Sequence, residues 1–291
     1  MSLKESILTI FQDQKISIIL KLKDNRFITY SEQDRLIRVF NLNFSLSYTI
    51  NKIKSQIHSM VQLKDEKTIC SSYEITILQL NKRDYEIIQI LKIWTTKIIE
   101  IYENNIIAAQ NSYIRFYSLT NDKFSLKDEC KFEENVNNVI KIKDNELCLL
   151  LDNCSKIISI HIFDIESKEI ISKLYEIKAK ESGEMCLLEN KYLIVSFYLF
   201  LILLDIEEYK ILHEIRTSFG CVITFCLWKD YTFFSGDEIG DIIEWKINNN
   251  KIVKVKEYNN GKKTVKSIIK FNNNTMAVCC NDGYIRFYNL D

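Results

Sequence analysis

Glycine and histidine are scarce in this sequence, and proline is absent. The 291 residues include six glycines and three histidines. Six scattered glycines cannot form the glycine-rich loop that cradles a phosphate, which excludes nucleotide binding of that kind. His58, His161 and His213 show neither HxH nor HxxxH spacing, so a histidine-based metal motif is excluded as well. The absence of proline supports no functional inference.

The cysteines do not form a recognisable metal or redox motif. There are nine, with no CxxC spacing, and most lie in apolar, strand-like runs: Cys70, Cys130, Cys148, Cys154, Cys186, Cys221, Cys226, Cys279 and Cys280. Free cysteine in such runs behaves as a small buried hydrophobe, which suits a reducing compartment. The first residues, Met1–Ser6, show no secretory signal pattern. We therefore expect a cytoplasmic protein, with the nucleus left open.

Long hydrophobic runs and a charge of one sign are also missing. The uncharged run Tyr192–Leu204, which no other uncharged run exceeds in length, is far shorter than the roughly 20 residues of a spanning helix, and it reads as two buried strands joined by a tight turn. Thirty-nine basic residues balance thirty-nine acidic ones. No overall field draws the chain to nucleic acid or to an anionic membrane. We expect neither nucleic-acid binding nor membrane insertion.

The chain is built from repeats. The run Gly283–Leu290 is almost identical to Ser112–Leu119, and a third copy is Arg35–Leu42. With looser copies included, seven large residues mark the repeats at steps of 38 to 46 residues: Phe40, Leu78, Tyr117, Phe163, Leu204, Trp245 and Tyr288. We call these seven residues the anchors. A period of about 40 to 45 residues is typical of a β-propeller with one blade per repeat.

Each repeat contains four short apolar runs separated by polar turns, which is the signature of strands. In the second repeat the predicted strands are Gln56–Leu63, Thr68–Ser71, Glu74–Leu80 and Tyr85–Leu91. Third strands such as Ile157–Phe163 are almost continuously apolar, which indicates burial on both faces. The sequence therefore predicts an all-β, seven-bladed propeller with four-stranded antiparallel blades, occupying residues 1–291 as a single domain.

The repeats resemble those of the WD-repeat β-propeller family. Asp34, Asn153, Asp237 and Asp282 lie at or near the family's turn position, Trp245 keeps the aromatic of its Trp-Asp pair, and Asp164 and Asp205 keep the acid. No repeat has the complete pair, and the histidine of the family's buried polar network is largely missing. The run Tyr284–Leu290 reads as a third strand with no fourth after it, and the missing strand can come from Glu5–Phe11. This resembles the ring closure of the family, in which the N-terminal strand completes the last blade.

No residues converge in the pattern that catalysis requires. His161 lies in an apolar third strand, where a packed histidine with satisfied hydrogen bonds is expected, and the neighbours Cys279 and Cys280 are expected to be structural. The sequence therefore predicts no enzyme activity and no catalytic, cofactor-binding or metal-binding residues.

A partner-binding face is expected where the turns after second and fourth strands emerge. This location is implied by the family resemblance. The candidates there are Trp94, Phe219, Lys15, Lys54, Lys97, Lys262 and Lys263. Trp94 and Phe219 are either exposed side chains that contact a partner or side chains packed between blades. Because Glu133, Glu134 and Glu181 belong to the same face, its mixed charge favours protein over nucleic acid.

These observations predict a rigid protein–protein interaction scaffold, a monomeric propeller that acts as a subunit of a larger intracellular complex. Its partners are other proteins of unknown identity. An alternative is a substrate-receptor or regulatory subunit of an enzyme complex such as a cullin ubiquitin ligase. A third possibility is a small-molecule site in the central channel.

Overall fold

The computed structural model describes residues 8–11, 15–103, 105–120, 123–153, 155–179, 182–217, 220–259 and 263–290. These residues form 28 strands and no helix. In chain order the first strands are β1 (Leu8–Phe11), β2 (Ile16–Lys21), β3 (Phe27–Ser31), β4 (Ile37–Phe40), β5 (Leu46–Ile50), β6 (Ser59–Gln62), β7 (Thr68–Ser71), β8 (Ile75–Leu80), β9 (Tyr85–Leu91), β10 (Lys97–Tyr102), β11 (Asn105–Gln110), β12 (Tyr113–Thr120), β13 (Lys123–Lys131) and β14 (Asn135–Lys143). The remaining strands are β15 (Glu146–Asp152), β16 (Ile157–Asp164), β17 (Glu169–Lys178), β18 (Ser182–Leu188), β19 (Tyr192–Phe197), β20 (Phe200–Asp205), β21 (Lys210–Arg216), β22 (Val222–Leu227), β23 (Thr232–Asp237), β24 (Asp241–Asn248), β25 (Lys251–Asn259), β26 (Val265–Lys270), β27 (Thr275–Cys280) and β28 (Tyr284–Asn289).

The strands form seven four-stranded antiparallel sheets, the blades of an all-β propeller, as the repeats predict. Blades one to six are β2–β5, β6–β9, β10–β13, β14–β17, β18–β21 and β22–β25. The seventh has the order β1-β28-β27-β26, and β1 pairs with β28 from Leu8 opposite Phe287 to Phe11 opposite Tyr284. The expected N-terminal strand therefore joins the last blade. Its first predicted residues, Glu5–Ile7, lie outside the described residues.

Two compact units make up the chain. One comprises Met1–Lys21 with Ala179–Asp291, and the other comprises Leu22–Lys178. In each unit the core lies between neighbouring blades. In the second unit, Phe116 of β12 packs in one cluster with Leu149 and Phe163 of the fourth blade. In the first unit, Leu203 of β20 packs with Phe233 and Trp245 of the sixth blade.

All seven anchors lie on the third strand of their blade and are buried. Their exposed fractions range from 0% at Phe163 and Leu204 to 6% at Tyr288. The third strand β16 is buried at every position from Ile158 to Phe163, as its continuous apolar run predicts. The run Tyr192–Leu204 forms most of β19 and β20, joined by a two-residue turn, which also confirms its interpretation. The repeated anchors and the apolar runs around them therefore predict these core residues correctly.

The first strand of the second blade is shorter than predicted, and the third begins at Ile75, one residue after the expected start at Glu74. The first strand begins at Ser59, three residues after the expected start at Gln56. The N–H of Ile57 donates to the hydroxyl of Tyr30 in the first blade, at 3.0 Å. Because Ile57 binds a neighbouring blade rather than its own sheet, residues 56 and 57 belong to the connection between blades, whereas the N–H of His58 donates to the Ser71 carbonyl of β7 at 2.8 Å.

Outer strands carry a bulge opposite the anchor in the first six blades. The register shifts fall immediately before the anchor residue, between Val39/Phe40, Ile77/Leu78, Phe116/Tyr117, Ile162/Phe163, Leu203/Leu204 and Glu244/Trp245. In each case one residue of the fourth strand is left without a partner on the third. Such bulges twist an outer strand and discourage edge-to-edge pairing with another chain.

Aspartates at or just after the ends of second strands accept hydrogen bonds from backbone N–H groups of the turn that follows, as expected of Asp and Asn. The carboxylate of Asp34 accepts the N–H of Leu36 at 3.0 Å, and that of Asp282 accepts the N–H of Tyr284 at 3.1 Å. Asp237 Oδ1 accepts three N–H groups, those of Ile239, Gly240 and Asp241, at 3.1, 2.8 and 2.7 Å. Each carboxylate fixes the entry to its third strand.

Asp237 makes the stability of the protein depend on pH. Burial raises its pKa to about 6, although the three backbone donors act in the opposite direction. Between about pH 4 and pH 6 the folded chain holds a proton that the unfolded chain has released, so the free energy of unfolding falls as the pH rises. We expect Asp237→Asn to remove this loss. The free energy of unfolding of the variant, relative to that of wild type, should therefore rise by about 1–3 kcal/mol from about pH 4 to about pH 7.

Urea unfolding of wild type and Asp237→Asn at about pH 4 and about pH 7 measures this rise. Asp237→Ala is the control, because it leaves three N–H groups without their acceptor and is expected to be destabilised at both pH values. Parallel pH profiles for wild type and Asp237→Asn would contradict the prediction.

Lysines near the end of three first strands connect neighbouring blades within each unit. Each ammonium donates to a carbonyl of the preceding blade and lies over an aromatic ring there. The pairs are Lys21 with the Phe271 carbonyl (2.6 Å) and ring (5.7 Å), Lys141 with the Ile101 carbonyl (2.7 Å) and Tyr102 ring (4.3 Å), and Lys270 with the Trp228 carbonyl (3.3 Å) and ring (5.1 Å). These contacts add directional bonds to the apolar packing between blades.

We expect Lys141→Met to lower the free energy of unfolding by about 1–2 kcal/mol, because the apolar stem is kept while the charged hydrogen bond and the cation–π contact are lost. The matched control is Lys127→Met on the exposed outer strand β13, which is expected to change stability by less than about 0.5 kcal/mol. Urea unfolding measures both. Equal effects of the two variants would show that the lysine contact contributes nothing.

Candidate interaction surface

Turns of the first and second blades enclose an open groove of about 580 Å³, which we call the basic groove. Its lining residues are Arg35, Lys52, Lys54, Ser55, Gln56, Tyr73 and Glu74. Arg35 comes from the β3–β4 turn, residues 52–56 from the β5–β6 connection, and Tyr73 and Glu74 from the β7–β8 turn. Three segments that are separate in sequence therefore contribute to one surface. It contains three cationic side chains and one carboxylate.

The local sequence explains how the β5–β6 connection presents its lysines. Along Asn51–Ile57, Ile53 and Ile57 are buried, at 2% and 1% exposure, while Lys52 and Lys54 are exposed. The two isoleucines hold the connection to the core, and the lysines on either side of Ile53 are exposed to solvent. Lys52 also lies over the ring of Tyr85, with its ammonium 5.7 Å from the ring centroid.

Arg35 is held in place by its own turn. Its φ is 58°, in the left-handed region, and its N–H donates to the Ser31 carbonyl at 2.9 Å. Its Nη1 donates to the Lys54 carbonyl at 2.7 Å. The turn is fixed further by Asp34, which pairs with Arg38. Although burial opposes it, the hydrogen bond from Arg38 holds the pKa of Asp34 below its ordinary value.

Hydrogen bonds also fix the floor of the groove. Ser55 Oγ and the buried Ser72 Oγ are 2.8 Å apart, which connects the β5–β6 connection to the β7–β8 turn. Ser72 Oγ binds Glu74 as well, donating to its carbonyl at 2.7 Å and accepting its N–H at 3.1 Å. The Ser72 carbonyl accepts the N–H of Thr95 at 3.0 Å. The backbone beneath the cationic side chains is therefore preorganised.

Tyr73 is the most exposed large hydrophobic side chain among the described residues, at 68%. It lies at the tip of the β7–β8 turn, and the ring of His58 contacts it edge-on, with centroids 6.5 Å apart. An exposed tyrosine beside an arginine has the composition of a binding hot spot, since both residue types are enriched in such sites.

Among the sequence-predicted site residues that the structure describes, Lys54 is the one that lines the basic groove. Trp94 and Lys97 are half-buried, and Thr95 between them donates from its hydroxyl to the Ala109 carbonyl at 2.8 Å. Lys15 and Lys263 are exposed and belong to the other compact unit. Phe219 and Lys262 lie outside the described residues.

Sequence reasoning did not single out Arg35, Lys52 and Tyr73. For Lys52 a signal was present, because a charged residue on each side of Ile53 indicates a segment with one buried and one exposed side. Arg35 follows the turn residue Asp34, and Tyr73 stands alone between polar residues. Neither pattern shows that two blades bring these side chains together.

The Cys70 and Cys226 thiols and the His161 imidazole are buried. Burial raises the pKa of the Cys70 and Cys226 thiols to about 12. His161 Nε2 is 2.8 Å from Ser159 Oγ, burial lowers the pKa of this histidine, and its Nδ1 has no hydrogen-bond partner among the described residues. The histidine is packed, as predicted, but only one of its two nitrogens is satisfied.

Within the described ranges, no three His, Cys, Asp or Glu side chains cluster as a metal site. The same ranges contain no helix of the length and apolarity needed to cross a membrane. The sequence matches no established protein-family profile, and a comparison with curated proteins finds no significant match.

Proposed function

We propose that this chain is a WD-repeat-like propeller that acts as a non-catalytic protein–protein interaction scaffold within a larger intracellular complex. The observation that carries the proposal is the basic groove, where Arg35, Lys54 and Tyr73 project from three turns of two rigid blades. Binding sites formed by loops on a rigid scaffold are a common use of such folds. A fixed surface also loses little entropy when a partner binds.

The resemblance to WD repeats is supported by polar contacts within the blades. Trp245 donates from Nε1 to the Ser235 hydroxyl at 2.8 Å, and both side chains are at least 98% buried. Asp34, Asp237 and Asp282 occupy the turns before third strands, where the resemblance expects an acid. Because the complete Trp-Asp pair is absent, membership of the family is part of the proposal.

The thiols and the surface charge agree with an intracellular protein whose partners are proteins. Among the described residues, Cys70, Cys148, Cys186, Cys226 and Cys279 are buried free cysteines. Free buried thiols suit a reducing compartment. Acidic and basic residues are equal in number, so the chain lacks the net positive field that nucleic-acid-binding domains use.

Native size tests the scaffold proposal. The full chain, expressed with a small affinity tag in cells that contain its natural partners, is separated by gel filtration after gentle lysis, and the peak fractions are analysed by mass spectrometry. We expect a peak well above 34.5 kDa with a reproducible set of companions. A monomeric peak without companions, or catalytic turnover by the purified chain, would overturn the proposal.

A further inference from the structure

We propose that the basic groove binds an acidic segment of a partner protein, with its carboxylates or phosphates between Arg35, Lys52 and Lys54. This inference rests on the proposed scaffold function and specifies the chemistry of one partner. Oxyanions of either kind suit an arginine, because its planar guanidinium can bind two oxygens at once. The lysines then act as flexible point charges beside it.

The cations of the groove are accessible to a ligand. Arg35, Lys52 and Lys54 are exposed, and none of them forms a salt bridge with any described residue. The one hydrogen bond that Arg35 Nη1 makes with the Lys54 carbonyl orients the guanidinium and leaves further N–H donors for a ligand. The positive charge is therefore oriented without being neutralised.

Glu74 limits which anionic ligands fit. Its carboxylate lines the same groove, so the lining carries three positive charges and one negative charge. Glu32, on the same turn as Arg35, is also exposed. A polyanion with a charge at every residue meets repulsion there, whereas a segment with two or three spaced acids does not.

A protein segment fits these features better than a nucleic acid does. Single-stranded nucleic acids bind along grooves that follow the phosphate backbone, with several aromatic rings for successive bases. Here three cations line one short groove, and Tyr73 is the one aromatic residue among its described lining residues. A volume of about 580 Å³ holds a segment of a few residues.

Fluorescence anisotropy with the purified full chain tests the inference. The probes are a labelled peptide of repeated Asp-Gly-Glu-Ser, a peptide of repeated Asn-Gly-Gln-phosphoserine, a neutral Asn-Gly-Gln-Ser peptide, and an oligouridine. We expect the two acidic peptides to bind, the neutral one not to bind, and Kd to rise with salt. Which acidic peptide binds more tightly decides between carboxylates and phosphates.

The triple charge reversal Arg35→Glu/Lys52→Glu/Lys54→Glu is expected to weaken acidic-peptide binding at least about tenfold. The matched control, Lys64→Glu/Lys82→Glu/Arg83→Glu, changes three exposed cations of the second blade outside the groove and is expected to stay within about twofold of wild type. Tyr73→Ala is expected to weaken binding severalfold. If the reversed variant does not fold, as judged by circular dichroism, the glutamine triple variant at the same positions replaces it.

Three results would overturn the inference: no preference of wild type for acidic over neutral peptide, equal loss in the groove and control variants, or tighter binding of oligouridine than of either acidic peptide. The scaffold proposal fails separately, if the wild-type chain has no companions in gel filtration. Companions with wild type, together with no acidic-peptide binding, would overturn the inference and leave the scaffold proposal standing.

Discussion

Gly183→Ala is expected to lower the free energy of unfolding by at least about 3 kcal/mol or to prevent folding. Gly183 lies in a bulge of β18, where the register with β19 shifts between Ser182 and Met185. A methyl group at Gly183 would overlap the carbonyl oxygen and the hydroxyl of Ser196. Because the carbonyl belongs to the backbone of a buried central strand, it cannot move aside as the end of a flexible side chain could.

The same overlap disrupts two hydrogen bonds between the Ser196 hydroxyl and the backbone of Glu184. Ser196 Oγ accepts the N–H of Glu184 at 2.9 Å and donates to its carbonyl at 3.2 Å. A side chain at Gly183 displaces this hydroxyl and leaves buried polar groups without partners, which adds to the steric cost. Soluble yield, far-ultraviolet circular dichroism and urea unfolding measure the result.

Gly236→Ala provides a control with a different outcome. The three atoms nearest to a methyl group there are all side-chain atoms, namely Val265 Cγ1 and Cβ and Ile268 Cδ1. We expect Gly236→Ala to be destabilising and Val265→Ala to relieve part of the loss, since it removes the closest methyl group. At Gly183 the corresponding partner change, Ser196→Ala, is expected to give no rescue. Rescue at Gly183 would show that the backbone carbonyl is not the obstacle.

Trp245→Ala is expected to lower the free energy of unfolding by about 3–5 kcal/mol, because it empties a large volume in a close-packed cluster. Trp245 is 2% exposed and stacks on Phe233, with ring centroids 6.4 Å apart and planes at 16°. It packs with Leu203 of the neighbouring blade. The loss therefore affects the packing between the fifth and sixth blades. Urea unfolding followed by circular dichroism measures it.

A double-mutant cycle separates the packing of Trp245 from its hydrogen bond. Trp245→Phe keeps an aromatic ring but removes the donor to Ser235 Oγ, and we expect a smaller loss of about 1–3 kcal/mol. In that background Ser235→Ala removes the buried hydroxyl and is expected to recover part of the loss. A loss below about 1 kcal/mol for Trp245→Ala would contradict the view that the anchors hold the blades together.

The candidate site was only partly predictable. Lys54 was assigned to the partner-binding face from its position after a fourth strand, and it lines the basic groove. Arg35 and Tyr73 were not found, because each lies in a turn whose own sequence gives no sign of its neighbours. Their proximity depends on the packing of the first blade against the second.

The sequence by itself determined the blades. The recurrence of large anchors such as Phe40, Tyr117 and Tyr288, with apolar runs between polar turns, is local information, and hydrophobic burial converts it directly into third strands and a core. Even the addition of Leu8–Phe11 to the last blade followed from counting strands. Local pattern was sufficient, because each strand pairs mainly with its neighbours in the chain.

Only the tertiary structure decided what the surface presents and which small residues are critical. The basic groove, the lysine contacts between blades and the close approach of Gly183 to Ser196 all depend on how strands and blades meet. Packing, turn geometry and bulge positions fix these approaches to within an ångström. The spacing of apolar residues in the sequence does not contain that information, because the spacing shows which residues are buried and not which atoms are in contact.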